Sequence, residues 1–133
     1  MSYFTAKVSK IQSNSSLHLV HFSVNNQTLC MMSLELDAKV KIGTKVKLVV
    51  KPTHVAISKK FIGELSYSNQ LNASIDSINN GELLSNIKLK LLNTTLESII
   101  TLDASQKMNL KVTDDVTVLI NASELSISEI YND

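Results

Sequence analysis

The residues able to do chemistry are few and scattered. His18 and His21 invite a metal reading, but on a strand positions three apart face opposite sides, and His54 stands alone. Cys30-Met31-Met32 offers soft ligands. Such residues more often fill a core. Lys39, Lys41, Lys45, Lys47 and Lys51 form a basic series, read most simply as a solvated strand edge that discourages pairing. Ser66-Tyr67-Ser68-Asn69-Gln70 is a polar knot in mid-chain, which taken alone is a solvated linker turn. There is no nucleophile beside a base, no glycine-rich phosphate loop and no cluster of metal ligands. The sequence does not read as an enzyme.

Stepping outward to the elements that would carry these residues, the strongest signal is an internal repeat. The stretch from Phe4 aligns with that from Leu71, an offset of 67. Val8 falls on Ile75, Ile11 on Ile78 and Leu17 on Leu84; Val20, Phe22 and Val24 fall on Ile87, Leu89 and Leu91. Further on the offset is 70, so that Val46, Leu48 and Val50 fall on Val116, Val118 and Ile120. Val55/Leu125 and Ile57/Ile127 close the match. Identities are few, and the apolar spacing carries the alignment. That spacing alternates with a period of two, as strands require. Asn80-Gly81 is a strong turn signal, with Asn25-Asn26 and Asn93-Thr94 as weaker ones. Each copy has one helix-like piece, "SLELDAKV" in the first and "TLDASQKMNL" in the second. About four or five strands with a helical turn or two, in so short a unit, suggest a small barrel. A single unit of that size buries too little surface to be comfortable alone. Two in tandem, packed into an oligomer, are expected.

Composition narrows the function classes. Apolar residues make up 44% of the 133, enough for a core, and no apolar run approaches the roughly 18 residues of a membrane helix. The start, "MSYFTAKVSK", lacks the apolar stretch of a signal peptide. Cys30 is the single cysteine, which excludes an internal disulfide. A soluble cytoplasmic protein is expected. All 13 basic residues are Lys, and they are unevenly spread: residues 4–59 carry a net +6 and residues 71–128 a net −3. A barrel that binds single-stranded nucleic acid would use aromatic platforms and a cationic groove. Three Tyr, three Phe, no Trp, no Arg and a net charge of +1 argue against that.

Several residues together resemble a known family. Ser66-Tyr67-Ser68-Asn69-Gln70-Leu71, then Ile100-Thr101, then the ending "VTVLINASELSI" with Asn121-Ala122-Ser123, resemble a molybdate-binding Mop domain, the TOBE-like module of molbindins. "VKLVVKPTHVAI", with Lys51-Pro52-Thr53, resembles the same ending in the first copy. The resemblance spans nearly the whole chain, in the layout of a two-domain molbindin. It implies an all-β fold of two tandem small OB-like five-stranded β-barrels, with one short helix per repeat, over residues 1–62 and 63–133. It also implies a bound molybdate or tungstate and a homotrimer, with oxyanion sites where the opening motif of one domain meets the closing motif of another. Carried onto this sequence, the oxyanion-binding positions are Lys51, Thr53, Ser66, Ser68, Asn69, Thr101, Asn121 and Ser123. The sequence departs from the pattern at two of them: Ser68 stands where the family has Arg, and Asn121 where it has Lys. The first copy keeps only Ser2 and Tyr3 of the opening motif. The better-equipped site therefore joins Ser66, Ser68 and Asn69 to Lys51 and Thr53. The other joins Asn121 and Ser123 to the N-terminus, with no cation. Hydroxyls, amides and backbone N–H groups can hold a tetrahedral dianion, and Lys adds a point charge without Arg's planar fork. A structural or partner-binding protein without an oxyanion is the alternative.

Overall fold

The computed structural model describes residues 1–91 and 94–131. The Asn93-Thr94 turn signal falls partly outside them. The described residues form ten strands: β1 (Ser2–Asn14), β2 (Leu17–Val24), β3 (Gln27–Ser33), β4 (Lys45–Val50), β5 (Ala56–Ser58), β6 (Asn69–Asn80), β7 (Leu84–Leu91), β8 (Thr94–Thr101), β9 (Asp115–Ile120) and β10 (Ser126–Ile130). They build two curled five-stranded sheets in the orders β10-β4-β1-β2-β3 and β5-β9-β6-β7-β8. The fold is all-β and agrees with small OB-like barrels.

The two halves repeat one another in detail. In β1 the register to β2 slips between Val8 and Lys10, and in β6 the register to β7 slips between Ile75 and Ser77. A bulge at the same place in each copy bends the long first strand, as a small curled sheet needs. Val8 N–H donates to the Thr44 carbonyl and Ile75 N–H to that of Asp114; Gly43 N–H donates to Val8 and Thr113 N–H to Ile75. In the first copy this tight approach uses Gly43 at φ 93°, whereas the second puts Thr113 there at φ 75°. A β-branched residue is strained in that region. Thr113 is exposed, so Thr113→Gly should lose little contact and raise the stability measured by urea unfolding by about 1 kcal/mol.

The expected alternation places the core. Val46, Leu48 and Val50 of β4, and Val116, Val118 and Ile120 of β9, are all buried, with Val20, Phe22, Ile87 and Leu89 on the facing strands. These residues form one continuous cluster through both sheets. At the seam Phe4, Leu29, Leu71 and Leu96 leave a gap of only about 20 Å³, so the halves are packed together rather than merely joined.

Three details differ from the sequence reading. The strand that closes each sheet comes from the other copy: β5 pairs with β9, and β10 pairs with β4. Helix α1 (Leu102–Lys107) forms only in the second copy. There the Thr101 hydroxyl accepts the Ala104 N–H at 3.1 Å, a true helix cap. In the first copy the Ser33 hydroxyl turns instead to the Glu35 backbone, and Asp37 accepts the Lys39 N–H, so the shorter segment makes turns. Finally, β4 is an interior strand and not an edge. Lys45 and Lys47 lie on its outer side, over the rings of Tyr131 and Tyr3 at 5.7 and 4.7 Å. Asn25 and Asn26, at φ 45° and 67°, make the two-residue hairpin turn that the sequence signalled.

Candidate functional site

Each half ends alike. β4 and β9 run into one-turn helices, Pro52–His54 and Ala122–Glu124, which then lead into the crossing strands β5 and β10. Proline at the first position pre-sets the first turn, and His54 and Glu124 donate their N–H groups to the carbonyls of Lys51 and Asn121. Lys51 and Asn121 precede the turns in extended backbone, and neither side chain is used as a cap. Because the last strands cross, the two turns meet. His54 Nδ1 lies 2.8 Å from a Glu124 carboxylate oxygen, and these two residues occupy equivalent positions at the repeat offset of 70.

Beside this pair is a cleft of about 290 Å³, lined by Thr53, His54, Tyr67, Asn121 and Glu124 over an apolar wall that includes Ile99 and Ile100. Thr53 and Asn121 were expected site residues, and Tyr67 belongs to the Ser66–Asn69 knot. The first closing turn, the second closing turn and the knot thus share one concavity. Thr53 and Tyr67 offer hydroxyls, Asn121 an amide, and His54 an imidazole. Glu124 offers only acceptors when ionised. Tyr67, His54 and Glu124 were missed by motif reasoning. The coincidence of His54 with Glu124 at the repeat offset was the available signal.

The remaining expected residues are distributed differently. The Asn69 carboxamide is fully buried and engaged: its Oδ1 accepts the Cys30 N–H at 2.7 Å, and its Nδ2 donates to the Cys30 carbonyl at 2.9 Å. Both polar atoms of the amide are thus used to tie β6 to β3. Ser2, its counterpart in the first copy, accepts the Glu97 N–H at 2.8 Å, and Glu97 is the counterpart of Cys30. The sheet registers pair Asn69 with Ile120 and Ser2 with Val50. The knot therefore runs beside Asn121, while Lys51 follows the strand end beside Ser2. Neither sheet pairs the knot with Lys51, while Thr53 and Tyr67 line the same cleft. Thr101 caps α1. Ser66 and Ser68 are exposed and make no side-chain hydrogen bond among the described residues. Ser123 lines a different, larger groove of about 640 Å³ between β3 and β10, with Met31, Glu35, Asp37 and Lys39. Lys51 is exposed and carries no ion pair among the described residues.

Among the described residues no group of three or more His, Cys, Asp or Glu is placed to hold a metal ion. His18 and His21 bond instead to Ser13 and Gln12 of β1, at 2.7 and 3.0 Å. Burial pushes the Cys30 thiol above its ordinary pKa, which leaves it a poor nucleophile at neutral pH. Met31 is a core residue, while Met32 is exposed.

This architecture has a solved counterpart. The chain superposes on the crystal structure of the cytoplasmic molybdate-binding protein ModG, in a form with molybdate bound, with a TM-score of 0.87 over 94% of this chain and 93% of that one. The two sequences are 22% identical, so the likeness establishes the fold. Since both chains are covered almost whole, it extends to both sheets. No protein-family model matches the sequence, and no curated protein does. Among the described residues no helix is long and apolar enough to cross a membrane.

Proposed function

We propose that the chain is a cytoplasmic, non-catalytic binding protein for molybdate or tungstate, serving molybdenum storage, homeostasis or delivery. The observation that carries this reading is the cleft in which Thr53, Tyr67 and Asn121 converge from three segments. Lys51, two residues before Thr53, supplies the cation that a partly desolvated dianion needs. Ser66 and Ser68 flank Tyr67 and extend the donor set at the rim. The ModG likeness supports the reading through a shared fold. In this reading residues 1–62 and 63–133 are two Mop-like repeats that exchange their last strands. The chain assembles as a homotrimer, with Thr101 and Ser123 completing sites against neighbouring subunits. Sedimentation at micromolar concentration should show the trimer; a lone 14.7 kDa species overturns that part.

Calorimetric titration with molybdate, tungstate and sulfate, beside a single-stranded oligonucleotide, tests the function. Saturable heat with molybdate or tungstate and none with the oligonucleotide is expected. A charge-assisted hydrogen bond is worth roughly 1.5–3 kcal/mol, so Lys51→Met should weaken oxyanion binding about ten- to a hundredfold. Ser68→Arg should tighten it by adding a planar fork. Lys107→Met is the control, since Lys107 is exposed and paired with Asp103 on α1. A second reading, a structural or partner-binding protein, is favoured by the Glu124 carboxylate in the cleft and by the engaged amide of Asn69. Absence of heat with all three anions decides for it.

A further inference from the structure

The charge of the cleft is set by two groups that face each other across the repeat. Glu124 is acceptor-only when ionised, so it repels an oxyanion, whose oxygens are also acceptors. His54 decides whether that charge is compensated. Its Nδ1 is turned to Glu124 at 2.8 Å. If the ring is neutral and Nδ1–H donates to the carboxylate, Nε2 is a bare acceptor and the pair carries a net negative charge. Once the ring is protonated, Nε2 becomes an N–H donor and the pair is neutral. Protonation therefore changes both the sign of the hydrogen bond that His54 can offer and the field that a dianion meets. Both side chains are more than a third exposed, at 38% and 37%, so solvent can deliver the proton.

The neighbouring titratable groups do not substitute for His54. Lys51, just before the same turn, makes no ion pair among the described residues, and Tyr67 reaches the cleft from the knot without contacting the pair as an ion. From β8, which packs on the Pro52–His54 turn, Ile99 and Ile100 line the cleft, and the Glu97 carboxylate meets the Asn86 amide instead. Just after β5, Lys59 is held by Asp114 and by the carbonyls of Met108 and Asn109.

We propose that the His54–Glu124 pair makes oxyanion binding in this cleft proton-linked, with up to one proton taken up on His54 for each dianion bound. This rests on the oxyanion reading above and adds its regulation: the site fills as pH falls through the histidine range and empties as pH rises. The sign follows from the charges. The dianion stabilises imidazolium, so binding raises the proton affinity of His54, and affinity for the anion falls with pH above the titration of the free protein.

Molybdate titrations at about pH 6 and pH 8 test it, on wild type, His54→Gln and Glu124→Gln. Wild type should lose about ten- to thirtyfold in affinity between the two, within the roughly hundredfold that linkage to a single proton allows across two pH units. His54→Gln should bind with nearly the same affinity at both. Glu124→Gln should bind more tightly than wild type at the higher pH, because the repelling charge is gone. Far-ultraviolet circular dichroism confirms that each variant is folded, and either variant alone suffices. A flat wild-type profile overturns the proposal, as does wild-type pH dependence in His54→Gln or no gain in Glu124→Gln. If wild type binds no molybdate at either pH, the oxyanion reading itself falls, and the linkage with it. Lys51→Met separates the two ideas further: it should weaken binding by the same factor at both values.

Discussion

Deleting residues 126–133 should destabilise the sheet built mostly by the first half of the chain, and not the sheet that precedes the deletion in sequence. β10 pairs with β4 from Ser126 opposite Val49 to Ile130 opposite Val46, and sets Glu129 opposite Lys47. Ile127 and Ile130 pack against the common core. Losing this ladder and the apolar surface of two partly buried isoleucines should cost on the order of 4–6 kcal/mol. That is comparable with the whole stability of many small proteins, about 5–15 kcal/mol. Hydrogen exchange should therefore show the amides of Val46 and Leu48 losing protection first, while Val118 and Leu119 of β9 keep theirs longer. If the second sheet loses protection first, the strand exchange is wrong.

Asn69→Ala should be the most damaging single polar substitution. The Asn69 amide is buried and satisfies both the N–H and the carbonyl of Cys30. Alanine leaves both without that partner, and each unsatisfied group costs about 1–3 kcal/mol. A loss of about 2–4 kcal/mol in urea unfolding is expected. Ser2→Ala, at the equivalent place, removes a single acceptor from Glu97 and should cost about 1 kcal/mol. Equal and small effects at the two positions would contradict the assigned contacts. Oxyanion affinity of folded Asn69→Ala, measured with enough anion to saturate, should stay close to wild type, since the amide faces the neighbouring sheet and not the cleft.

Much of the barrel wall could be read from the sequence. Alternation at Val46, Leu48 and Val50, and at Val116, Val118 and Ile120, reflects a local rule: one face of a strand is buried, and the residues say which. The repeat at offsets of 67 and 70 likewise predicted equivalent strands, and the structure adds equivalent bulges in β1 and β6. The exchange of β5 and β10 was not legible. The stretches "VAIS" and "LSIS" are the same kind of strand whichever sheet they join, and only the packing of the two halves selects the partner. The helix of the first copy failed for a reason of scale. Ser33 looks like a cap as good as Thr101, but the segment after it is shorter and its hydroxyl is spent on Glu35. The candidate site was half legible. Thr53 and Asn121, which line the cleft, belong to the closing motif. Asn69, however, has the same chemistry whether it faces a ligand or a backbone, and polar residues carry no periodicity that distinguishes the two. His54 and Glu124 each look unremarkable until the crossing strands bring them into contact.

The meeting of His54 with Glu124 at equivalent positions also has a meaning for the ancestry of such a chain. If two separate, identical polypeptides exchanged their last strands in this way, symmetry would force like to face like: histidine opposite histidine, or glutamate opposite glutamate. Neither makes an ion pair, and the second repels. Joining both copies in one polypeptide, through the segment between Ser58 and Asn69, lifts that constraint. Each position can then mutate without its twin. Lysine can persist at 51 while asparagine stands at 121, and threonine at 53 while serine stands at 123. Covalent fusion of a self-complementary pair thus permits a division of labour, with one copy keeping the cation and the other acquiring the carboxylate that opposes it.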